Sequence, residues 1–128
     1  MRLHLATGTA LVLGTTACAG HWERSYSRWQ ALQSASAGRG EWARCIDQRS
    51  LAYLDAEQPA PPPTWYKGKA GGDEVIFTWV LADCSELMDK SAWRHTDSRE
   101  YEQLIGDAYR HFFSVGARIR ADEEMKVI

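Results

Sequence analysis

The sequence predicts an all-α protein, a small bundle of about four helices tied together by one disulfide. Four segments repeat apolar residues at helical spacing, and two cysteines fall on the apolar faces of two of them. The chain has 128 residues, of which 45% are hydrophobic, so it is long enough for one compact domain. With 15 basic and 17 acidic side chains, it lacks the excess positive charge of a nucleic-acid-binding protein.

The first predicted helix runs from Trp22 to about Ala37, and glycines follow it as a stop signal. Its apolar residues recur at steps of three or four positions. We expect this aromatic stripe to face the core. The residues of the stripe are Trp22, Tyr26, Trp29 and Leu32.

The second and third predicted helices carry the two cysteines. The second runs from about Glu41 to Ala56 and places Cys45 on its apolar side. The third runs from Asp73 to Met88, with Cys84 on its apolar side. Its β-branched and aromatic residues would also fit a strand, but an acidic start and a helical period favour a helix.

The fourth predicted helix begins after Asp97, which forms a capping pattern with Glu100, and ends at about Arg120. Apolar residues follow a period of 3.6 along its whole length. The acidic residues at 122–124 belong to a polar tail that we expect to fray.

The first 19 residues have the layout of a secretory signal, with one arginine before a short apolar stretch and no acid. An A-x-A pattern at residues 17–19 predicts a mature domain of residues 20–128. Alternatively, residues 15–18 resemble the lipobox of bacterial lipoproteins, which implies a signal at 1–17 and a lipidated Cys18. Both processing routes place the protein outside the cytoplasm, in the periplasm or anchored to the outer membrane, and membrane contact is expected through the lipid anchor alone. An N-terminal helix that is not cleaved is the remaining alternative.

Removal or lipidation of Cys18 leaves Cys45 and Cys84 as the two cysteines that can pair. An exported protein would keep such a disulfide, because its compartment is oxidising. Two buried thiols are the alternative. The histidines have no metal-ligand spacing to either cysteine, so no metal and no cofactor are predicted.

A segment rich in proline and glycine, residues 58–72, separates the second and third helices. It is long for a connection in a small bundle, and such loops often carry function. Trp65, Tyr66, Lys67 and Lys69 form an aromatic and basic tip after three prolines. We interpret these four residues as contacts for a partner. In the alternative interpretation both rings fold back over the bundle.

No catalytic motif is present, and the acids, Asp107 among them, are spread singly over helices whose faces we expect to be solvated. His111 flanks an apolar stripe and is interpreted as a partly buried structural residue. The sequence therefore predicts that the protein is not an enzyme.

The preferred hypothesis is an interaction protein of the bacterial envelope, such as an inhibitor, an immunity-type protein or an accessory subunit, whose partner is another envelope or secreted protein. In architecture, without a shared motif, it is similar to small exported helical immunity proteins held by one disulfide. One alternative is a ligand-binding or weakly catalytic domain with a pocket among Trp42, Trp79 and Tyr109. The other is a structural protein without a discrete site.

Overall fold

The computed structural model describes residues 20, 22–35, 38–69, 71–90 and 98–127. These residues form five helices and no strand, and one disulfide joins two of the helical segments. The predictions of an all-α fold and of a disulfide are therefore confirmed. The helices are α1 (22–33), α2 (Arg39–Leu54), α3 (Asp73–Asp83), α4 (Ser85–Lys90) and α5 (Ser98–Val127).

Five helices replace the predicted four because the third predicted segment is divided at Cys84. The backbone of Cys84 has φ −100° and ψ 4°, and its N–H donates to the carbonyl of Val80. This turn ends α3 at Asp83, and α4 begins at Ser85. The segment is helical despite its strand-favouring residues, since tertiary packing outweighs local propensity.

The last helix extends to Val127, seven positions beyond the predicted end at Arg120. The tail does not lie free, because Lys126 Nζ is 3.3 Å from a carboxylate oxygen of Glu123 and 3.5 Å from one of Glu57. The predicted cap at Asp97 lies outside the described residues. No helix in the described ranges is both long and apolar enough to cross a lipid bilayer.

The core lies around α2, which packs against α3, α4 and α5. Aromatic rings fill much of it, and several pairs meet edge to face, as aromatic pairs prefer. The Phe77 ring contacts those of Tyr109 and Phe112, with centroids 5.1 and 5.4 Å apart. Among the most deeply buried side chains are Trp29, Trp42, Ile46, Val80, Cys84 and Phe112.

The disulfide joins Cys45 of α2 to Cys84 at the end of α3, with the two Cα atoms 5.9 Å apart. Both cysteines therefore face inward, as the helical spacing predicts. The bond closes a loop of 39 positions that contains the whole connection between the two helices. The disulfide therefore fixes α2 and the end of α3, the two helices that this connection joins, relative to each other.

Helix α1 turns a different side to the core from the one predicted. Trp29 is buried, but Trp22 and Tyr26 are 47% and 58% exposed. The prediction was wrong for these two residues, because Ser25 takes the inward position instead. Serine is polar, so an apolar period does not mark it as buried. The aromatic residues therefore predicted an inward face that contains Tyr26, whereas the observed inward face contains its neighbour Ser25.

The turn from α1 into α2 is held by the side chain of Arg44, whose Nη1 donates to the carbonyls of Gln33 and Ala35 at 2.7 and 2.8 Å. These bonds satisfy carbonyl groups that the end of α1 leaves free. Gly40 packs so closely here that a Cβ would lie 2.1 Å from the Ala35 oxygen. A glycine is therefore required at this position.

Candidate functional site

The predicted partner-binding residues lie together in a connection without helix or strand, residues 55–69 and 71–72 of the described chain. Its start is ordered by Asp55, whose carboxylate accepts hydrogen bonds from the N–H groups of Glu57 and Gln58. Ala60 then donates to the carbonyl of Ala52 in α2. The loop is thus bound to the bundle before it reaches the aromatic residues.

Tyr66 anchors the loop tip to the core. Its ring meets that of Trp79 edge to face, with centroids 5.0 Å apart, and its hydroxyl donates to the Lys69 carbonyl at 2.6 Å. Gly68 makes room for this arrangement, because a Cβ there would lie 2.6 Å from the Tyr66 hydroxyl. The hydrogen bond closes residues 66–69 into a compact turn.

Trp65 has the opposite environment, although it is the next residue. Its side chain is 55% exposed and touches the edge of the Tyr66 ring at a centroid distance of 6.2 Å. The sequence left two alternatives, with both rings available to a partner or both folded back over the bundle. In the structure Tyr66 lies over the bundle and Trp65 projects into solvent.

Lys67 and Lys69 are exposed on the same turn. Neither forms an ion pair with another residue in the described part of the chain. The tip thus presents the exposed ring of Trp65 and two positive charges, next to the partly buried Tyr66 that attaches it to the core.

A second polar site, which sequence reasoning missed, lies between α1 and α5. Asp107 is 3% exposed, yet its carboxylate accepts a hydrogen bond from Ser25 Oγ at 2.6 Å. Arg28 donates to both carboxylate oxygens, each at 2.9 Å, and Arg110 donates through Nη2 at 2.8 Å. The expectation of a solvated face was wrong for Asp107, because α1 covers it.

These contacts set the charge of Asp107. Burial alone would raise its pKa, but the hydrogen bonds from Arg28, Ser25 and Arg110 outweigh burial, so the pKa of Asp107 is lowered. The carboxylate is therefore ionised in the folded protein at neutral pH. Arg110 Nε also donates to Ser25 Oγ at 2.8 Å, which closes the network.

A cleft opens beside this network, with a volume of about 30 Å³. Two exposed rings of α1, Trp22 and Tyr26, stand on one side of it, and α5 supplies Arg110 and Arg118 on the other. The remaining lining residues are Ser25, Trp29, Asp107, His111 and Ser114.

His111 also borders the cleft, as a largely buried side chain. Its Nε2 lies 2.6 Å from Asp47 Oδ1, and its ring stacks on Trp29 with a centroid distance of 5.1 Å. Both contacts join α5 to other helices, which fits the structural role predicted for His111.

The residues of the alternative aromatic pocket lie in separate ring contacts. Trp42 meets Trp29, Trp79 meets Tyr53 and Tyr66, and Tyr109 meets Phe77. Within the described ranges, no group of three His, Cys, Asp or Glu side chains is placed to hold a metal ion. Cys18, the predicted lipidation site, lies outside these ranges.

Comparison with family models, curated proteins and solved structures gave no match to this chain. The geometry of the loop tip and of the α1–α5 cleft is therefore the basis for any functional assignment.

Proposed function

We propose that the protein is a non-enzymatic interaction module of the bacterial envelope that binds another envelope or secreted protein through the loop tip, Trp65, Tyr66, Lys67 and Lys69. An inhibitor, an immunity-type protein and an accessory subunit all belong to this class. The observation that carries the proposal is the exposure of Trp65, at 55%, beside a tyrosine that is fixed to the core.

Anchoring matters because a contact residue on a mobile loop loses conformational entropy when a partner binds. Here Tyr66 packs on Trp79, and its hydroxyl closes the turn through Lys69. The loop therefore loses its conformational entropy when the protein folds, and little of this loss remains to oppose binding. A projecting tryptophan on a fixed base is typical of residues that dominate binding energy at protein interfaces.

The charges of the tip favour a partner with an acidic rim. Lys67 and Lys69 are exposed beside Trp65. Charges at the rim of an interface mainly raise the association rate and select the partner. An apolar pocket for the ring, bordered by acidic side chains, is the surface that we expect on the partner.

Export is part of the same proposal, with a signal at residues 1–19 or a lipid anchor at Cys18. The Cys45–Cys84 disulfide supports it, because such bonds persist in oxidising compartments. Intact mass of the protein purified from its host would show whether the chain starts at Gly20 or at an acylated Cys18. A chain that starts at Met1 and is found in the cytoplasm would contradict export.

The partner contact can be tested with a photo-crosslinking amino acid at position 65. We expect one defined crosslinked protein, which is then purified and tested for direct binding. The Trp65→Ala variant should weaken that binding by more than about tenfold, as expected for a hot-spot residue.

Phe113→Ala is the matched control, because Phe113 is an aromatic residue of similar exposure, 44%, on α5. Its binding should equal that of the wild type. Unchanged binding by a Trp65→Ala, Tyr66→Ala double variant that remains folded would refute the loop as the contact surface.

A further inference from the structure

Positive charge exceeds negative charge around the α1–α5 cleft and the Asp107 network beside it. Asp107 is the single acid among the described residues that line it, and two guanidinium groups, those of Arg28 and Arg110, share its carboxylate. One positive charge is therefore not balanced within the network. Arg118 adds another at the rim, since its side chain forms no ion pair with another described residue.

Arg110 is held in a fixed position and retains unused donors. Ser25 accepts from its Nε, and Asp107 accepts from its Nη2. Its Nη1, with two N–H groups, has no acceptor within the described chain, and the side chain remains 25% exposed. A guanidinium fixed in this way matches the planar geometry of a carboxylate, with little side-chain entropy to lose.

The size of the cleft limits what can enter it. A volume of about 30 Å³ is room for roughly two water-sized groups, which corresponds to the two oxygens of a carboxylate. A larger body would have to remain outside, between the exposed rings of Trp22 and Tyr26. Aromatic walls favour an apolar body there.

We infer that the α1–α5 cleft is a binding site for a carboxylate carried on an apolar or aromatic body, with Arg110 and Arg118 as the anion contacts and Trp22 and Tyr26 as the walls. The site is separate from the loop tip and does not depend on the proposed partner contact. Either a free organic acid or the C-terminal carboxylate of a peptide has this chemistry.

The test is isothermal titration of the purified protein with 3-phenylpropanoate and with the corresponding neutral amide. Saturable binding of the acid is expected, at least about tenfold tighter than that of the amide, because the amide lacks the charge that the arginines recognise. Equal affinity for acid and amide, or no saturation by the acid up to about 10 mM, would overturn the assignment.

Arg118→Gln locates the site, since Arg118 takes no part in the ion pairs that hold α1 to α5. We expect the Arg118→Gln variant to bind 3-phenylpropanoate about tenfold more weakly than the wild type, or weaker still. Arg120→Gln is the control, because Arg120 lies on the same helix but pairs with Asp73 at 3.4 Å, outside the cleft. Equal losses in the two variants would show a general charge effect and contradict the site.

A Trp22→Ala variant tests the walls. It should weaken binding of 3-phenylpropanoate more than binding of acetate, and equal weakening would contradict the role of the ring.

A peptide ending in phenylalanine separates the two sources of the ligand. If the peptide binds more tightly than 3-phenylpropanoate, the natural ligand is the C-terminus of a peptide. If it binds more weakly, the ligand is a free organic acid. The arginine contacts to the carboxylate are the same in both cases.

Discussion

The bundle is held together differently on its two sides. Between α2 and α3 the contact is covalent, through Cys45 and Cys84, with Tyr53 and Trp79 packed beside it. Between α1 and α5 it is ionic, through the buried carboxylate of Asp107 and its donors. A reductant should therefore weaken the first junction and acid the second, so the two can be perturbed independently.

The largest effect should follow loss of the disulfide. A Cys45→Ala, Cys84→Ala double variant is expected to lose about 4 kcal/mol of unfolding free energy, since the bond closes a loop of 39 positions. Urea unfolding at neutral pH measures the loss. Reductant should have a similar effect on the wild type and none on the variant, and a loss below about 1 kcal/mol would show that packing alone holds this junction.

Removal of Asp107 should have the next largest effect. Asp107→Ala leaves the guanidinium groups of Arg28 and Arg110 without their shared acceptor, and we expect a loss of about 3 kcal/mol, measured by urea unfolding. Asp122→Ala is the control, because Asp122 is an exposed acid on the same helix. A cost within about 0.5 kcal/mol of that control would mean that the network adds no stability.

Combining the two changes sharpens the comparison further. The partners of Asp107 are Ser25, Arg28 and Arg110, and neither cysteine is among them. The losses of unfolding free energy from Asp107→Ala and from the double cysteine variant should therefore add. Strong coupling between them would show that the bundle responds as one unit.

Acid should produce the smallest effect. The pKa of Asp107 is lower in the folded protein than in the unfolded chain, so its contribution to stability is complete above about pH 4 and is lost as the pH falls through the folded-state pKa. Urea midpoints measured from pH 5 downward should fall less steeply in Asp107→Asn than in the wild type. Identical slopes would indicate that other carboxylates cause the acid response.

The helices and the disulfide could be predicted from sequence because both depend on spacing along one chain. The apolar period of α5 and the inward positions of Cys45 and Cys84 are properties of single helices. The extra length of α5 could not be predicted, since Glu57, which contacts Lys126, lies far away in sequence.

The α1–α5 network was missed for a related reason. Its members are common surface residues, and Ser25 lies 82 positions from Asp107 in the chain. Helical periodicity shows which face of a helix is apolar, but it does not show that a polar edge of α1 meets a polar edge of α5. The loop tip stays a prediction as a contact surface, and the different environments of Trp65 and Tyr66 could not be predicted because they depend on Trp79, which belongs to another helix.

The position of the disulfide has a consequence for proteolysis. Lys67 and Lys69 lie on the exposed loop between the bonded cysteines, where a trypsin-like enzyme would cut. Such a cut would not separate the two parts of the chain, because Cys45 and Cys84 lie on opposite sides of it. A nicked molecule would keep both parts joined in an oxidising compartment and would release them only after reduction.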